Sequence, residues 1–406
     1  MSVSSPCGQR LAIDGGAPVR SRPLPPWPHY SSEQVEAARR VLESGRVNYW
    51  TGTECRQFEE EFAAYHGGGH AISLANGTLA LELALRILGV GKGDEVVVTP
   101  RSYFASASCC AMVGAQPVFA DVDRVSQNVT AESIAAVLTP KARAIVVVHL
   151  AGWPCDMPAI MALAREHRLA VIEDCAQAHG AKIDGQLVGT FGDVAAWSFC
   201  QDKILSTAGE GGILMTRDHA LWEVAWSFKD HGKSWRRVHA ADHPPGFRWL
   251  HESFGSNYRL TELQAAVGRL QLGTLDEWVE RRRANAERLN DGITDIAALR
   301  ATLPSKREYH SYYKYYAFVR PSLLRQEWDR DRILKALEAE GLPGWSGSCP
   351  EIYREKAFLG LSQQTLTVAQ ELGATSLMLP VHPTLQVEDI DDMLQGLRKV
   401  FAAASA

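Results

Sequence analysis

From about residue 70 to residue 216, short β-branched runs alternate with stretches of helical period, and few folds accept that rhythm. A strand that is followed each time by a helix returns parallel to its predecessor, so the pattern predicts an α/β fold, a mainly parallel sheet sandwiched by helices. The strand runs are 95–99, 117–121, 144–150, 169–174, 194–199 and 212–216. Between them, 78–88 carries apolar residues at 79, 81, 83, 85, 87 and 88, 104–113 is small or apolar throughout, and 156–167 has a polar face. A long amphipathic segment, 261–283, then leads into a region where the rhythm lapses. There an aromatic stretch, 309–319, precedes a helix-like segment, 329–341, which suits a smaller α+β domain.

A chain of 406 residues exceeds what one minimal core needs. We expect a large α/β domain over residues 1–270 and a small carboxyl-terminal α+β domain over 271–406. Five prolines between Pro18 and Pro28 mark an N-terminal arm lying on a domain surface. With 42 basic against 47 acidic residues there is no electrostatic footprint for nucleic acid. Apolar runs such as 144–150 are strand-sized and far short of the roughly 20 residues of a bilayer helix. The opening residues, rich in Ser, Pro and Gly, lack a signal peptide's apolar stretch, so a cytoplasmic location is expected. The eight cysteines include no pair at two-residue spacing and read as buried reduced thiols. The thirteen histidines form no HExxH or comparable set, so no metal site is expected.

Ligands of open α/β sheets collect at the carboxyl ends of the strands. In this chain those ends are rich in polar groups. Asp174 closes one strand in VIEDCAQAHG, Ser198 closes another in WSFCQDKILSTAGEGG, and Lys203 follows in a glycine-rich loop. The helix that opens at Asn76-Gly77-Thr78 offers unpaired backbone N–H groups to an anion. Pyridoxal 5'-phosphate demands a lysine for its aldehyde, a carboxylate for its pyridine nitrogen, an aromatic face over its ring and donors for its phosphate. Lys203 would form the Schiff base and then shuttle a proton, and Asp174 would keep the ring nitrogen protonated. Gln177 would bond the phenolic oxygen, Phe104 would stack on the ring, and Gly77, Thr78 and Ser198 would bind phosphate.

These segments resemble the DegT/DnrJ/EryC1/StrS family of sugar aminotransferases, within the type I aspartate aminotransferase fold. NGTLALELAL, GDEVVVTP, PVFADVD, VVHLAGWPCDMPAI, VIEDCAQAHGA, SFCQDK, AGEGG and GSNYRLTELQAA occur in the family's order and cover most of the chain. The resemblance gives Asp174, Gln177, Ser198 and Lys203 their roles residue by residue. It also makes Asn257, in GSNYRL, a phosphate ligand supplied by the partner subunit of a homodimer with shared sites. It implies transfer of an amino group from an amino acid, glutamate or else glutamine, to a keto-sugar, foremost one linked to a nucleotide. A keto-cyclitol acceptor and a non-catalytic regulator of the same fold are the alternatives. Two departures stand out. Cys200-Gln201-Asp202 replaces a His-Pro common in relatives, and 100–104 is one residue shorter than usual, which leaves Tyr103 as an alternative to Phe104 for the stacking ring.

Other motifs have plainer readings. GVGKGD follows a helix and precedes a strand, the reverse of a phosphate loop, and so reads as a helix C-cap and turn. HGGGH reads as a turn ahead of the sheet. The insertion at 222–251, with Lys229, His231, Lys233, Arg236, Arg237 and Arg248, suits either a sugar-diphosphate surface or an ordinary packed excursion. Alternation in Tyr312-Tyr313-Lys314-Tyr315-Tyr316 suits a strand with one buried face, with only some of these residues lining a pocket.

Overall fold

Valine and isoleucine crowd the strand runs because branched side chains suit a pleated surface that is covered on both faces. In the computed structural model, which describes residues 10–241, 248–360 and 365–406, those runs supply six strands of a seven-stranded sheet. Cys7 and residues 242–247 of the insertion lie outside the described residues. The strands in chain order are β1 (His70–Leu74), β2 (Glu95–Val98), β3 (Gln116–Phe119), β4 (Ala142–Val148), β5 (Ala170–Asp174), β6 (Lys182–Ile183), β7 (Gln186–Leu187), β8 (Val194–Ser198) and β9 (Gly212–Thr216). The large sheet has the order β1-β9-β8-β5-β4-β2-β3, with β9 antiparallel to both of its neighbours and the other pairings parallel.

The run HAISL escapes a β-branched pattern, since Ile72 is its single branched residue, yet it forms β1 on the edge of the sheet. Its register against β9, from His70↔Thr216 to Leu74↔Gly212, comes from the long-range pairing and not from local propensity. Two helices that the strand rhythm did not reveal, Ser32–Ser44 and Glu54–Tyr65, precede it. The first has a capping box between Ser31 and Gln34. Segment 261–283 is two helices, Glu262–Gly273 and Leu275–Gly292, parted at Thr274, whose hydroxyl bonds the Gln271 carbonyl at 3.0 Å.

Beyond this break, β10 (Leu299–Ala301), β12 (Tyr315–Val319) and β13 (Ser376–Leu379) form an antiparallel sheet, while β11 (Glu308–Tyr309) pairs with β6. Helices Arg330–Ala339 and Val387–Ala404 pack with that sheet around Ile333, Leu377, Ile390, Leu397 and Phe401. β12 differs from the expected one-sided strand. Tyr315, Ala317 and Val319 enter this core, whereas Tyr316 and Phe318 enter the cluster built on β4 and β5, so the alternation separates two buried faces. The arm is tied to the same carboxyl-terminal unit, with Leu11 in its core and the Arg20 guanidinium 2.8 Å from Asp389 and 2.6 Å from Asp392. Among the described residues no helix is long and apolar enough to cross a membrane.

Candidate active site

Strands β5 and β8 are neighbours, so their last residues, Asp174 and Ser198, end on the same edge of the sheet. The helix Gly77–Ile87 starts beside them. A Cβ on Gly77 would lie 2.7 Å from Ser198 Cβ and 3.1 Å from the Trp197 carbonyl oxygen, so only glycine lets the helix N-terminus approach the end of β8 this closely. Opposite, residues 311–313 dock on the loop after β4, with Ser311 N–H to Gly152 O at 3.0 Å and Tyr313 N–H to Ala151 O at 2.8 Å. Together with 345–349 they close a cavity of about 840 Å³.

Gly77, Thr78, Phe104, Asp174, Gln177, Ser198 and Lys203 all line this cavity; Asn257 does not. Asp174 is buried, and its Oδ2 accepts from Ser106 Oγ at 2.7 Å and its Oδ1 from Ala176 N–H at 3.1 Å. Burial pushes its carboxyl above the usual range, against the Ser106 bond, the Ala176 bond and the nearby charge of Lys203. Gln177 Oε1 accepts from Ala151 N–H at 2.8 Å, which fixes the orientation of the amide and leaves its NH2 as the donor. Asn76 caps the helix by accepting from Leu79 N–H at 3.0 Å, so the N–H groups of Gly77 and Thr78 keep no intrahelical acceptor. Ser198 Oγ accepts from Cys200 N–H at 3.3 Å. Phe104 sits just ahead of the helix Ala105–Met112 with its ring centroid 5.3 Å from that of Phe358, while Tyr103, on the same wall, is 69% exposed. Lys203 reaches over Tyr313, with Nζ 4.8 Å from the ring centroid, and its carbonyl accepts from Trp27 Nε1 at 3.0 Å.

Strand order did not reveal two contributors: Ser106 lies in a stretch that reads as plain helix packing, and Trp27 arrives on the arm. Of the aromatic run 312–316, Tyr313 and Lys314 are the residues that line the cavity. The insertion cations stay out: none of Lys229, His231, Lys233, Arg236, Arg237 and Arg248 lines the cavity. Lys229 is buried over the Tyr49 ring at 3.5 Å, and Arg236 and Arg237 pair with Glu223 and Glu252. His149, Glu173 and Cys175 cluster tightly beneath the sheet edge. There Glu173 accepts from the N–H groups of Gly189, Phe191 and Gly192 and from His149 Nε2, while His149 Nδ1 accepts from Cys155 N–H, so the nitrogen and oxygen atoms of His149 and Glu173 are already engaged in hydrogen bonds. Burial alone would raise Glu173, yet the His149 bond and these N–H groups hold it below the usual range.

The donor set fits pyridoxal phosphate. A buried carboxylate with no cation hydrogen-bonded to it among the described residues suits a protonated ring nitrogen, and the open N–H groups at Gly77 and Thr78 suit a phosphate.

A mostly parallel sheet with one reversed strand, and a lysine and a carboxylate on its carboxyl edge, is the architecture of the α/β aminotransferases. The crystal structure of an aminotransferase from Psychrobacter cryohalolentis superimposes with a TM-score of 0.92 at 51% identity, covering 94% of this chain and 99% of that one. L-glutamine:2-deoxy-scyllo-inosose aminotransferase of Streptomyces kanamyceticus is 39% identical over 343 residues, 82% of this chain and 79% of its own. UDP-N-acetyl-3-dehydro-alpha-D-glucosamine 3-aminotransferase of Acidithiobacillus ferrooxidans is 37% identical over 353 residues, 87% of this chain and 90% of its own. The profile of the DegT/DnrJ/EryC1/StrS aminotransferase family matches residues 28–398, and the chain belongs to that family.

Proposed function

We propose that this aminotransferase uses pyridoxal 5'-phosphate to move the amino group of an amino acid, glutamate first, onto a keto-sugar linked to a nucleotide, for a surface polysaccharide or a glycosylated natural product. The observation that carries the reading is that Lys203, Asp174 and the helix N-terminus at Gly77 share one cavity. Lys203 would hold the cofactor's aldehyde carbon through Nζ. Asp174 would hold the ring-nitrogen proton, Gln177 would donate to the phenolic oxygen, and Phe104 would cover a ring face. Gly77, Thr78 and Ser198 would bind the phosphate, together with Asn257 of a neighbouring copy in a homodimer.

When bound, the cofactor supplies an electron sink for negative charge at the donor's Cα. Displaced from the cofactor's aldehyde carbon by the donor's amine, Lys203 Nζ would be free to move a proton from the donor's Cα to the carbon it had held, and in the second half-reaction to move one from there to the acceptor carbon that gains the nitrogen, so one base would serve both. Asp174 is suited to its part because a cation at the ring nitrogen offsets the cost of its burial. We place the division between the large and small domains at the Thr274 break, just past the expected 270/271, so that residues from both sides of it line the cavity.

The deciding experiment is borohydride reduction of the purified protein followed by peptide mapping. The label is expected on the peptide that holds Lys203, and Lys203→Ala should lose both label and turnover while keeping its fold. Label on another lysine removes the assignment. An inert regulator would show neither label nor turnover. A keto-cyclitol acceptor is the second reading, favoured by the 39% identity to the inosose aminotransferase. Thermal protection by UDP, GDP or TDP alone supports a nucleotide-linked acceptor, and its absence supports the cyclitol. Glutamate and glutamine, compared in the donor half-reaction, settle the donor.

A further inference from the structure

Lys314 stands in the cavity with no role in the chemistry above. Docking of 311–313 on Ala151 and Gly152 brings Tyr313 and Lys314 into the site side by side just ahead of β12. The Lys314 side chain is only 16% exposed. Its Nζ faces two rings, 4.9 Å from the Tyr313 centroid and 5.6 Å from that of Trp345. Its closest carboxylate oxygen, Asp202 Oδ2, is 4.0 Å away and already accepts the Tyr313 hydroxyl proton. The ammonium is therefore largely stripped of water and has only a loose partner in exchange.

A desolvated cation at the wall of a cavity is costly unless a ligand completes its hydrogen bonds. Burial lowers Lys314 to about 8; Asp202 opposes the shift, and Arg282 and Lys203 add to it. His382, the other titratable group coupled to it, is itself lowered to about 3 by burial and so adds no charge at neutral pH. Lys203 Nζ lies 4.8 Å from the centroid of the same Tyr313 ring, so the two amines share one aromatic neighbour, one committed to the cofactor and the other not.

Resting on the transaminase reading, we propose that Lys314 is the cationic contact for an oxyanion of the substrate, either a carboxylate of the amino donor or a phosphate of the acceptor's nucleotide. The two rings shape its approach and Asp202 holds it in place while the site is free of substrate.

The test is calorimetric titration of the holoenzyme and of Lys314→Met and Lys314→Arg with 2-oxoglutarate and with UDP, GDP and TDP. Methionine keeps the stem against Tyr313 and Trp345 and removes only the charge; melting curves check that both variants fold. Lys314→Met should weaken one class of anion about tenfold or more, as loss of a charge-assisted hydrogen bond does. Lys314→Arg should stay within a few-fold of wild type. Loss confined to 2-oxoglutarate assigns a carboxylate, and loss confined to a nucleoside diphosphate assigns a phosphate. Unchanged affinities in Lys314→Met, or a wild type that binds neither class, overturn the proposal, and the transaminase reading survives so long as borohydride still labels Lys203. Absence of that label would instead remove the transaminase reading, and this proposal with it.

Discussion

Ser106 donates its hydroxyl to Oδ2 of Asp174 across 2.7 Å, and its oxygen lies 2.9 Å from that of Ser102, so a buried hydroxyl pair braces the carboxylate at the end of β5. After burial, which raises the Asp174 carboxyl, the Ser106 bond is the largest influence and favours the ionised form. Ser106→Ala should therefore raise that carboxyl further. The acid limb of kcat/KM for the donor half-reaction should move to higher pH, with a loss of about 1 kcal/mol in the hydrogen bond itself. Ser106→Thr should restore the limb. A profile that does not move in Ser106→Ala would reduce Ser106 to a space-filler.

The same burial sets a stability prediction for the cofactor-stripped protein. A carboxyl whose folded pKa lies above its unfolded one adds stability below the unfolded value and loses it as pH rises through the folded value. At neutral pH the stripped protein thus carries Asp174 as a buried charge at a cost. Asp174→Asn should melt higher than wild type there, with the gap closing on acidification as wild type protonates. The variant should meanwhile lose most of its donor half-reaction, since a neutral amide does not favour a protonated ring nitrogen. Equal melting at neutral pH would contradict the assigned cost.

How much of this was legible from sequence depended on whether a residue's signal was local. Asp174 and Ser198 end apolar runs whose period and length announce strands, and Lys203 follows in a loop marked by glycines, so strand ends and the fold class could be read together. Ser106 lies in ASASCCAM, where small residues at all but the last position carry no period and hide a polar contact to a residue 68 positions on. Tyr313 and Lys314 lie more than a hundred residues from the strands they face, held by backbone bonds to Ala151 and Gly152 that no pattern records. The arm reads as surface because of its prolines, yet Arg20 is buried among acidic partners of the last helix. The capping box of Ser31 and Gln34 was a usable sign of the first helix.

Gly77→Ala tests the helix N-terminus. The new Cβ would meet Ser198 Cβ at 2.7 Å and backbone at 3.1 Å, so the helix must withdraw from β8. We expect a loss of about 1 to 3 kcal/mol in stability and a faster loss of cofactor, read from melting curves and dialysis. Gly273→Ala, where a Cβ meets nothing within 4 Å, is the control and should be neutral or gain up to about 1 kcal/mol. Similar behaviour of the two variants would show that the close approach is not what requires Gly77.

Arg20 links the arm to the last helix. Beyond its two carboxylates, Nε donates to Arg22 O at 2.7 Å and an NH2 donates to Pro23 O at 3.0 Å, which shapes the bend that delivers Trp27 to Lys203. Arg20→Ala leaves Asp389 buried without its cation and should cost about 3 to 5 kcal/mol in denaturant unfolding. A change below about 1 kcal/mol, the range of an exposed pair, would mean that the arm is held by Leu11 and its other contacts alone.

The last prediction concerns Asn257. It stands outside the cavity, its Oδ1 accepting from Arg259 N–H at 3.4 Å and its segment pinned by Tyr258 N–H to Lys229 O at 3.1 Å and by Arg259 to Asp230 at 2.8 Å. GSNYRL resembles the family segment that reaches across the two-fold axis to the neighbour's phosphate, so we expect a two-fold dimer in which Asn257 of one copy faces the phosphate of the other. Mixing two damaged proteins tests this. If Lys203 and Asn257 of one site come from different chains, a heterodimer of Lys203→Ala with Asn257→Asp places both lesions in one site and leaves the other whole. Random exchange makes half the dimers mixed, so about one site in four should be intact. If both residues come from one chain, every site of a mixed dimer carries a lesion, and activity stays at the mean of the parents. Aspartate is chosen because loss of one neutral hydrogen bond costs only about 1 kcal/mol, whereas its negative charge opposes the phosphate directly. No gain in activity after exchange has been verified by mass, or a monomer in sedimentation, would rule out the shared site.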